Sequence, residues 1–314
     1  MKTKWTTENI PSQAGRRVVI TGANSGIGFE AALALARKGA ELILPARTQA
    51  KADDAVARIL EQVPNARLHS EVLDLAVQDS VHVFARRVIE RFPRQSLDLL
   101  INNAGVMALP TREVTGDGFE RQFATNYLGP FALTMLLLPS IKQTAGSRVV
   151  TVSSSASNQG KIEFDNLQSE RVYKPMFQAY AQSKLADLIF SQELQRRLKA
   201  VGSPILSTAA HPGYAVTNLQ ADHLKLGMKI LITTMKPFLS QDAAHGALPT
   251  LYAAVAAEAV AGGYYGPDGI AELKGYPTAV PIPKSALDGT VGKRLWEESE
   301  RLTRVKFDAL SNVA

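Results

Sequence analysis

Short apolar runs alternate with segments of helical spacing along most of this chain, beginning near residue 16. A short apolar, β-branched run predicts a buried strand, and apolar residues three and four apart predict a helix. We therefore predict strands over residues 17–21, 41–44, 67–75, 97–101, 148–152 and 205–210. We predict helices over residues 26–38, 48–63, 77–92, 119–141, 179–199 and 285–310.

Strands that alternate with helices predict right-handed crossovers and a parallel sheet. The expected architecture is a single-domain, Rossmann-type α/β fold, a doubly wound parallel sheet with helices on both faces. The almost wholly apolar strand at 97–101 suits the centre of such a sheet. Because no linker or composition shift marks a boundary, we expect one domain over residues 1–314, with a core at about 16–270 and a C-terminal tail at 271–314.

Two predicted loops are longer than the 2–6 residues that usually connect a strand and a helix. They span about 155–179 and 214–240, and the second is rich in apolar residues. Both follow strands whose carboxyl ends meet at the edge where open parallel sheets bind ligands. We expect them to cover a substrate. In the first loop, four aromatic or methionine side chains could equally contact the substrate or pack within the loop: Phe164, Tyr173, Met176 and Phe177.

Composition excludes several classes of protein. The chain of 314 residues has no cysteine, which excludes disulfides, thiolate metal sites and cysteine nucleophiles. Its five histidines have no metal-ligand spacing, so we expect no metal. The formal net charge is +6, but no basic run exceeds two residues, so we expect no nucleic-acid partner. The most apolar stretch, 131–141, is about half the length of a membrane span, and residues 1–15 lack a signal-peptide core. We expect a soluble, cytoplasmic protein.

A glycine-rich turn joins the first predicted strand to the first predicted helix. It reads Thr-Gly-Ala-Asn-Ser-Gly-Ile-Gly over residues 21–28. Glycines allow the backbone to approach a pyrophosphate, and the helix N-terminus offers free N–H groups and partial positive charge. The spacing differs from the common G-x-G-x-x-G pattern. Its place between strand and helix nevertheless favours dinucleotide binding over a purely structural turn.

Tyr180 and Lys184 are four residues apart in a predicted helix and therefore lie on one face. A tyrosine ordinarily ionises near pH 10, too high for efficient proton transfer at neutral pH, and a nearby ammonium favours its phenolate. General acid–base catalysis works best with a group that ionises near the operating pH. The pair therefore suits proton transfer to or from a substrate oxygen.

Four motifs in this order resemble the short-chain dehydrogenase/reductase superfamily: residues 21–28, Asn-Asn-Ala-Gly at 102–105, Tyr-x-x-x-Lys at 180–184 and Pro-Gly at 212–213. They cover roughly residues 16–220. The Ala-Asn-Ser-Gly-Ile-Gly turn, the pair Ala46-Arg47 and the long segment before Tyr180 resemble the branch of retinol dehydrogenases and WW-domain-containing oxidoreductase. The resemblance implies one dinucleotide-binding catalytic domain.

The resemblance also implies the roles of single residues. Tyr180 would be the general acid or base, Lys184 would bind ribose and tune Tyr180, and Ser154 would orient the substrate oxygen. Ser154 is selected over Ser153 and Ser155 by matching Val-Thr-Val-Ser-Ser to the family pattern. Asn126 would hold a water that links Lys184 to solvent. Asn102 would support the central sheet and also line the cofactor, the latter together with a larger set: Gly22, Asn24, Ser25, Gly26, Ile27, Gly28, Arg47, Asp74, Leu75, Asn103, Ala104, Gly105, Tyr180, Lys184, Pro212, Gly213 and Thr217.

The end of the second predicted strand indicates which dinucleotide is used. An NAD site usually places an acid there to hold the ribose 2′-hydroxyl. This chain has Leu-Pro-Ala-Arg at 44–47, so an arginine is available and a carboxylate is not. Since a guanidinium pairs with a 2′-phosphate, we expect NADP(H) rather than NAD(H).

The predicted function is reduction of a small hydrophobic carbonyl, or oxidation of the corresponding alcohol. Two alternatives stay open at this point: reduction of a C=C bond by the same superfamily, and a non-catalytic dinucleotide-binding sensor. The complete set of Ser154, Tyr180, Lys184 and Asn126 disfavours the sensor, which needs no proton-transfer group. The superfamily commonly pairs through its long helices, so a homodimer and a monomer are both compatible with the sequence.

Overall fold

The computed structural model of the protein describes residues 4–92, 96–214 and 241–307. Its centre is an eight-stranded sheet with the strand order β3-β2-β1-β4-β5-β6-β7-β8. Neighbouring strands are parallel except β7 and β8, which are antiparallel. The strands are β1 (Arg17–Ile20), β2 (Glu41–Ala46), β3 (Arg67–Val72), β4 (Leu99–Asn102), β5 (Arg148–Val152), β6 (Leu206–Ala210), β7 (Tyr264–Pro267) and β8 (Pro277–Ala279).

Helices cover both faces of this sheet. They are α1 (Gly26–Arg37), α2 (Gln49–Leu60), α3 (Gln78–Arg91), α4 (Gly129–Leu137), α5 (Ala181–Ala200), α6 (Ala243–Val255) and α7 (Gly289–Thr303). Successive strand side chains point to opposite faces. In β1, Val18 and Ile20 join the core beneath α1 and α6, while Val19 joins the core beneath α3, α4 and α5. The predicted doubly wound α/β fold is confirmed.

The predicted helix at 119–141 is interrupted. It consists of Arg121–Phe123, a π-helical turn at Ala124–Leu128, α4 and a final 3₁₀ turn at Leu138–Ser140. The buried carboxylate of Glu120 begins it by accepting the backbone N–H groups of Gln122 and Phe123 at 2.9 and 2.7 Å. Periodicity predicts a helix here but does not reveal the wide turn, which shifts the hydrogen-bond register by one residue.

The long segment at 155–179 is partly helical. It begins with a 3₁₀ helix at Ser155–Gln159 and ends in a π-helical turn at Pro175–Tyr180, which leads directly into α5. The other long segment, 214–240, lies outside the described residues from residue 215 onward, and so does Thr217. No helix in the described ranges is long and apolar enough to cross a membrane.

The C-terminal tail contributes to both the sheet and the core. Its strand β8 pairs with β7, and its helix α7 packs on α5. The predicted helix at 285–310 is shorter in the structure, because Arg304 adopts a left-handed conformation (φ 58°) immediately after Thr303. Trp296 of α7 is fully buried against Phe131 and Phe190. Residues after 270 therefore complete the fold.

Candidate active site

The glycine turn lies against the end of β4. A Cβ on Gly28 would lie 2.3 Å from both the Gly22 carbonyl oxygen and the Asn103 side-chain nitrogen, so only glycine fits there. Gly22 itself has a positive φ of 70°, which favours glycine. The Asn103 amide donates to the Thr21 carbonyl at 2.9 Å. These contacts hold the turn and the Asn-Asn-Ala-Gly segment together as one rigid wall.

The N-terminus of α1 faces a cleft of about 320 Å³. Ser25 precedes α1 and makes no side-chain cap, so the first N–H groups of α1 remain available to an anion. Most of the residues predicted to bind the cofactor line this cleft: Gly22, Asn24, Ser25, Gly26, Ile27, Gly28, Arg47, Asp74, Leu75, Asn103, Ala104, Gly105, Tyr180, Lys184 and Pro212. A cleft with a glycine wall and open N–H groups fits a dinucleotide pyrophosphate.

Two exposed cations border the same cleft beyond the end of β2. Arg47 follows Ala46, the last residue of β2, and Lys51 lies four residues later in α2. Of the described residues that line the cleft, only Asp74 is acidic. Lys51 was not among the residues predicted from the sequence, because only the fold brings the first turn of α2 to this cleft.

Lys184 is held rigidly at the inner end of the cleft. It is 5% exposed, and its ammonium donates to the Val152 carbonyl at 2.9 Å and to Asp187 Oδ2 at 2.8 Å. The lysine Nζ is 6.0 Å from the centre of the Tyr180 ring. The positive charge of Lys184 therefore lies beside Tyr180 in the cleft that both residues line.

Charge and burial shift the pKa values of Lys184 and Asp187 in opposite directions. Burial would lower the pKa of Lys184, but the Asp187 carboxylate raises it, and the pKa lies above its ordinary value. Burial raises the pKa of Asp187 to about 7, while Lys184 opposes that shift. Asp187 was missed by the sequence reasoning. The feature of the sequence that could have identified it is its position three residues after Lys184, which places both side chains on one helix face.

Asn126 lies in the first π-helical turn and connects the cleft wall to the helix of Tyr180. Its side-chain oxygen accepts the Val106 N–H at 2.7 Å, and its side-chain nitrogen donates to the Val106 carbonyl and to Ser183 Oγ, both at 2.9 Å. A Cβ on Gly105 would lie 3.2 Å from Asn126 Oδ1 and 3.6 Å from Lys184 Nζ. Asn126 therefore positions the residues around Lys184 through direct side-chain bonds.

The two serines that follow β5 have different hydrogen-bond partners. Ser153 Oγ donates to the Lys184 carbonyl at 2.7 Å and is buried in this structural bond. Ser154 begins the 3₁₀ helix, where its Oγ accepts the Ala156 N–H at 3.2 Å, and it lines a second cavity. Ser153 and Ser155 line the same cavity, but the hydroxyl of Ser154, unlike that of Ser153, does not donate to the Lys184 carbonyl.

This second cavity, of about 460 Å³, adjoins the cleft. Met176 and Phe177 from the long segment also line it, and Phe177 is 73% exposed. By contrast, Tyr173 packs within the loop region, donating to the Leu109 carbonyl at 2.7 Å. Five residues line both cavities: Ile27, Met107, Ser153, Tyr180 and Pro212. Tyr180 therefore lies where the two spaces meet.

Two predicted cofactor residues have different surroundings from those expected. Asn102 is buried and its amide donates to Thr134 Oγ1 at 2.9 Å, so it supports the sheet, and the next residue, Asn103, lines the cleft. Of the two roles expected for Asn102, lining the cofactor and supporting the sheet, the structure shows the second, because its side chain is buried against Thr134 and does not reach the cleft. Gly213 lines the second cavity. Arg121 and Thr125, which were not predicted, also line the cleft.

Known proteins resemble this chain over most of its length. The short chain dehydrogenase family matches residues 16–225, about two thirds of the sequence. The chain belongs to this family. Retinol dehydrogenase 13 of Homo sapiens is 41% identical over 300 residues, which cover 93% of this chain and 86% of that protein. Polyprenol dehydrogenase of Mus musculus is 38% identical over 303 residues, covering 94% and 85%. The expected resemblance to the retinol dehydrogenase branch is confirmed.

Solved structures agree with this assignment. A protein of Mycobacterium paratuberculosis has a TM-score of 0.79 and 40% identity, covering 97% of this chain and 99% of that one. The angucycline C-6 ketoreductase LanV with bound NADP has a TM-score of 0.62 and 26% identity, covering 81% and 94%. The short-chain dehydrogenase described here is therefore an NAD(P)-dependent oxidoreductase that acts on a small substrate.

Proposed function

We propose that this short-chain dehydrogenase uses NADP(H) to interconvert a hydrophobic carbonyl compound and its alcohol, with Tyr180 as general acid and base. The observation that carries the proposal is the position of Tyr180, which borders both the cofactor cleft and the second cavity beside Lys184. The nicotinamide dinucleotide supplies or accepts the hydride. Tyr180 donates a proton to the carbonyl oxygen during reduction and accepts it during oxidation.

The neighbouring residues prepare Tyr180 for this proton transfer. The Lys184 ammonium lies beside the Tyr180 ring and has a further N–H available to a ribose hydroxyl in the cleft that it lines. Ser154 would orient the substrate oxygen by a hydrogen bond. Asn126 hydrogen-bonds both to Val106 in the cleft wall and to Ser183 in α5. These bonds fix the position of α5, and so of Tyr180, relative to the cleft.

Two features support the substrate class and the cofactor. The second cavity has apolar side chains from Ile27, Met107, Met176 and Phe177, which suit a lipophilic substrate and exclude water from the reacting atoms. The curated relatives act on retinol and polyprenol by their names, and LanV is a ketoreductase with bound NADP. Arg47 and Lys51 suit the 2′-phosphate of NADP(H).

Replacing Tyr180 by phenylalanine tests the mechanism. Tyr180→Phe removes the proton donor but keeps the ring, so we expect NADPH-dependent reduction of lipophilic aldehydes and ketones to fall about 100-fold or more. NADPH binding, measured by fluorescence titration, should be retained. The matched control is Tyr252→Phe, which removes a phenol that packs against Trp5 and Tyr265, remote from both cavities. Near-normal turnover by Tyr180→Phe would refute the mechanism.

A further inference from the structure

The buried carboxylate of Asp187 has no role in the mechanism described so far. It is 1% exposed and lies one helical turn after Lys184, with its Oδ2 atom 2.8 Å from the Lys184 ammonium. A carboxylate in such a place is costly, because its desolvation is offset only by its bonds to a partner. Asp187 lines neither the cofactor cleft nor the second cavity. Any effect that it has on the reaction therefore passes through Lys184.

The hydrogen-bond capacity of Lys184 shows what Asp187 contributes. An ammonium has three N–H donors. One is accepted by the Val152 carbonyl and one by Asp187, which leaves the third for the cleft that Lys184 lines. Two acceptors on one side thus fix the direction of the remaining N–H. Without the carboxylate, one neutral carbonyl would hold a buried ammonium, a condition that favours loss of its proton.

In the described part of the chain, the other titratable groups near this pair are buried phenols or carboxyl groups with partners of their own, such as Glu272, which lies 2.9 Å from His211 Nε2. Tyr127 faces Asp187 from the first π-helical turn, and Tyr264 faces Tyr180 from β7; burial raises the pKa of both phenols well above their ordinary value. Glu272 is near Tyr264. Further along α5, Glu193 pairs with Arg196 and Arg197 at 2.6 and 2.7 Å. Asp187 is therefore the counter-ion that lies against Lys184.

We propose that Asp187 is a positioning residue for the reaction, whose buried carboxylate holds the Lys184 ammonium in its charged form and directs it toward Tyr180 and the cleft. This inference rests on the proposed function of Tyr180 and Lys184. Asp187 touches neither cofactor nor substrate. Its removal should change the pH at which the enzyme works and change the KM for the carbonyl substrate little.

The decisive variant is Asp187→Asn, which keeps the shape and one oxygen acceptor but removes the charge. Lys184 should then lose its proton at lower pH, because burial is no longer opposed by an anion. The alkaline limb of kcat/KM for NADPH-dependent reduction should move down by about one to three pH units. In the oxidation direction, the loss of activity at high pH should likewise begin at a lower pH, because it follows the same loss of the Lys184 charge.

The matched control is Glu193→Gln. Glu193 is another buried carboxylate of α5, 4% exposed, but its partners are Arg196 and Arg197. Glu193→Gln should leave the pH dependence of reduction and of oxidation unchanged. A second readout does not depend on turnover: the pH dependence of Lys184 acetylation in the cofactor-free full chain, followed by peptide mass spectrometry. The midpoint for Lys184 should fall in Asp187→Asn and stay at the wild-type pH in Glu193→Gln.

The outcomes separate this inference from the proposed function. If Tyr180→Phe is inactive and Asp187→Asn moves neither the pH limb nor the acetylation midpoint beyond Glu193→Gln, the Asp187 inference alone is wrong. If Tyr180→Phe remains active, the proposed function fails whatever Asp187→Asn does. Thermal unfolding checks that each variant folds. Should Asp187→Asn not fold, Asp187→Ser, which leaves room for water, undergoes the same two measurements with the same expected shifts.

Discussion

Arg47 and Lys51 are the residues to which our proposal assigns the 2′-phosphate of NADP(H). Arg47 is exposed just after β2 and Lys51 in the first turn of α2, and of the described residues that line the cleft only Asp74 is acidic. Arg47 was recognised from the sequence because the strand and its last residue are local features. Lys51 was missed because only the fold brings the first turn of α2 to the same cleft. A planar guanidinium and an ammonium together suit a phosphate dianion.

Replacing Arg47 should weaken the binding of NADPH more than the binding of NADH. Removing a hydrogen-bonded ion pair costs about 1.5–3 kcal/mol, so Arg47→Asn should raise the KM for NADPH about 10- to 100-fold. The KM for NADH should change little, because it has no 2′-phosphate. The control is Arg67→Asn, an exposed arginine at the amino end of β3 that changes the net charge equally. Equal loss with both cofactors would contradict a phosphate-binding role.

At the scale of elements, the turn between β1 and α1 and the two π-helical turns define the site. The sequence predicted the glycine turn, because closely spaced glycines between a strand and a helix are enough to indicate such a turn. It did not predict that Asn126 and Tyr180 both lie in π-helical turns. Such turns occur mostly as single insertions in α-helices, often at functional sites, and hydrophobic periodicity is too coarse to locate them.

A methyl group at Gly28 should disrupt the turn. Its Cβ would meet the Gly22 carbonyl and the Asn103 amide, two groups that cannot move apart without breaking the wall of the cleft. We expect Gly28→Ala to lower the free energy of unfolding by about 1–3 kcal/mol and to weaken NADPH binding at least about 10-fold. Calorimetric titration and thermal unfolding measure both. Gly116→Ala, where a Cβ meets no atom within 4 Å, should match wild type.

At the scale of the whole molecule, the C-terminal helix α7 closes the core. Trp296 stacks on Phe190 with ring centres 5.8 Å apart and meets the edge of Phe131 at 5.0 Å, while Tyr127 and Ser299 hydroxyls share a 2.7 Å hydrogen bond. Helix α7 therefore packs on both α4 and α5 and shields their aromatic side chains from water.

Truncating this tryptophan should show how much the tail stabilises the domain. Large-to-small substitution of a buried aromatic costs about 3–5 kcal/mol, so Trp296→Ala should lower the free energy of urea unfolding of the full chain by that amount. Trp5→Ala is the control, because Trp5 is only partly buried and packs on Tyr252 near the N-terminus. If Trp296→Ala costs no more than Trp5→Ala, the tail is not part of the cooperative core.

The sequence by itself determined the alternation of strands and helices, the glycine turn and the four-residue spacing of Tyr180 and Lys184. These features depend on residues close together in the chain, whose periodicity follows from backbone geometry. Only the tertiary structure decided that Ser153 donates to the Lys184 carbonyl while Ser154 begins a 3₁₀ helix beside the second cavity, that Asn102 packs against Thr134, and that α7 completes the core. It also decided that Asp187 is buried against Lys184. Each of these outcomes depends on which distant elements meet and exclude water, and neither spacing nor composition contains that information.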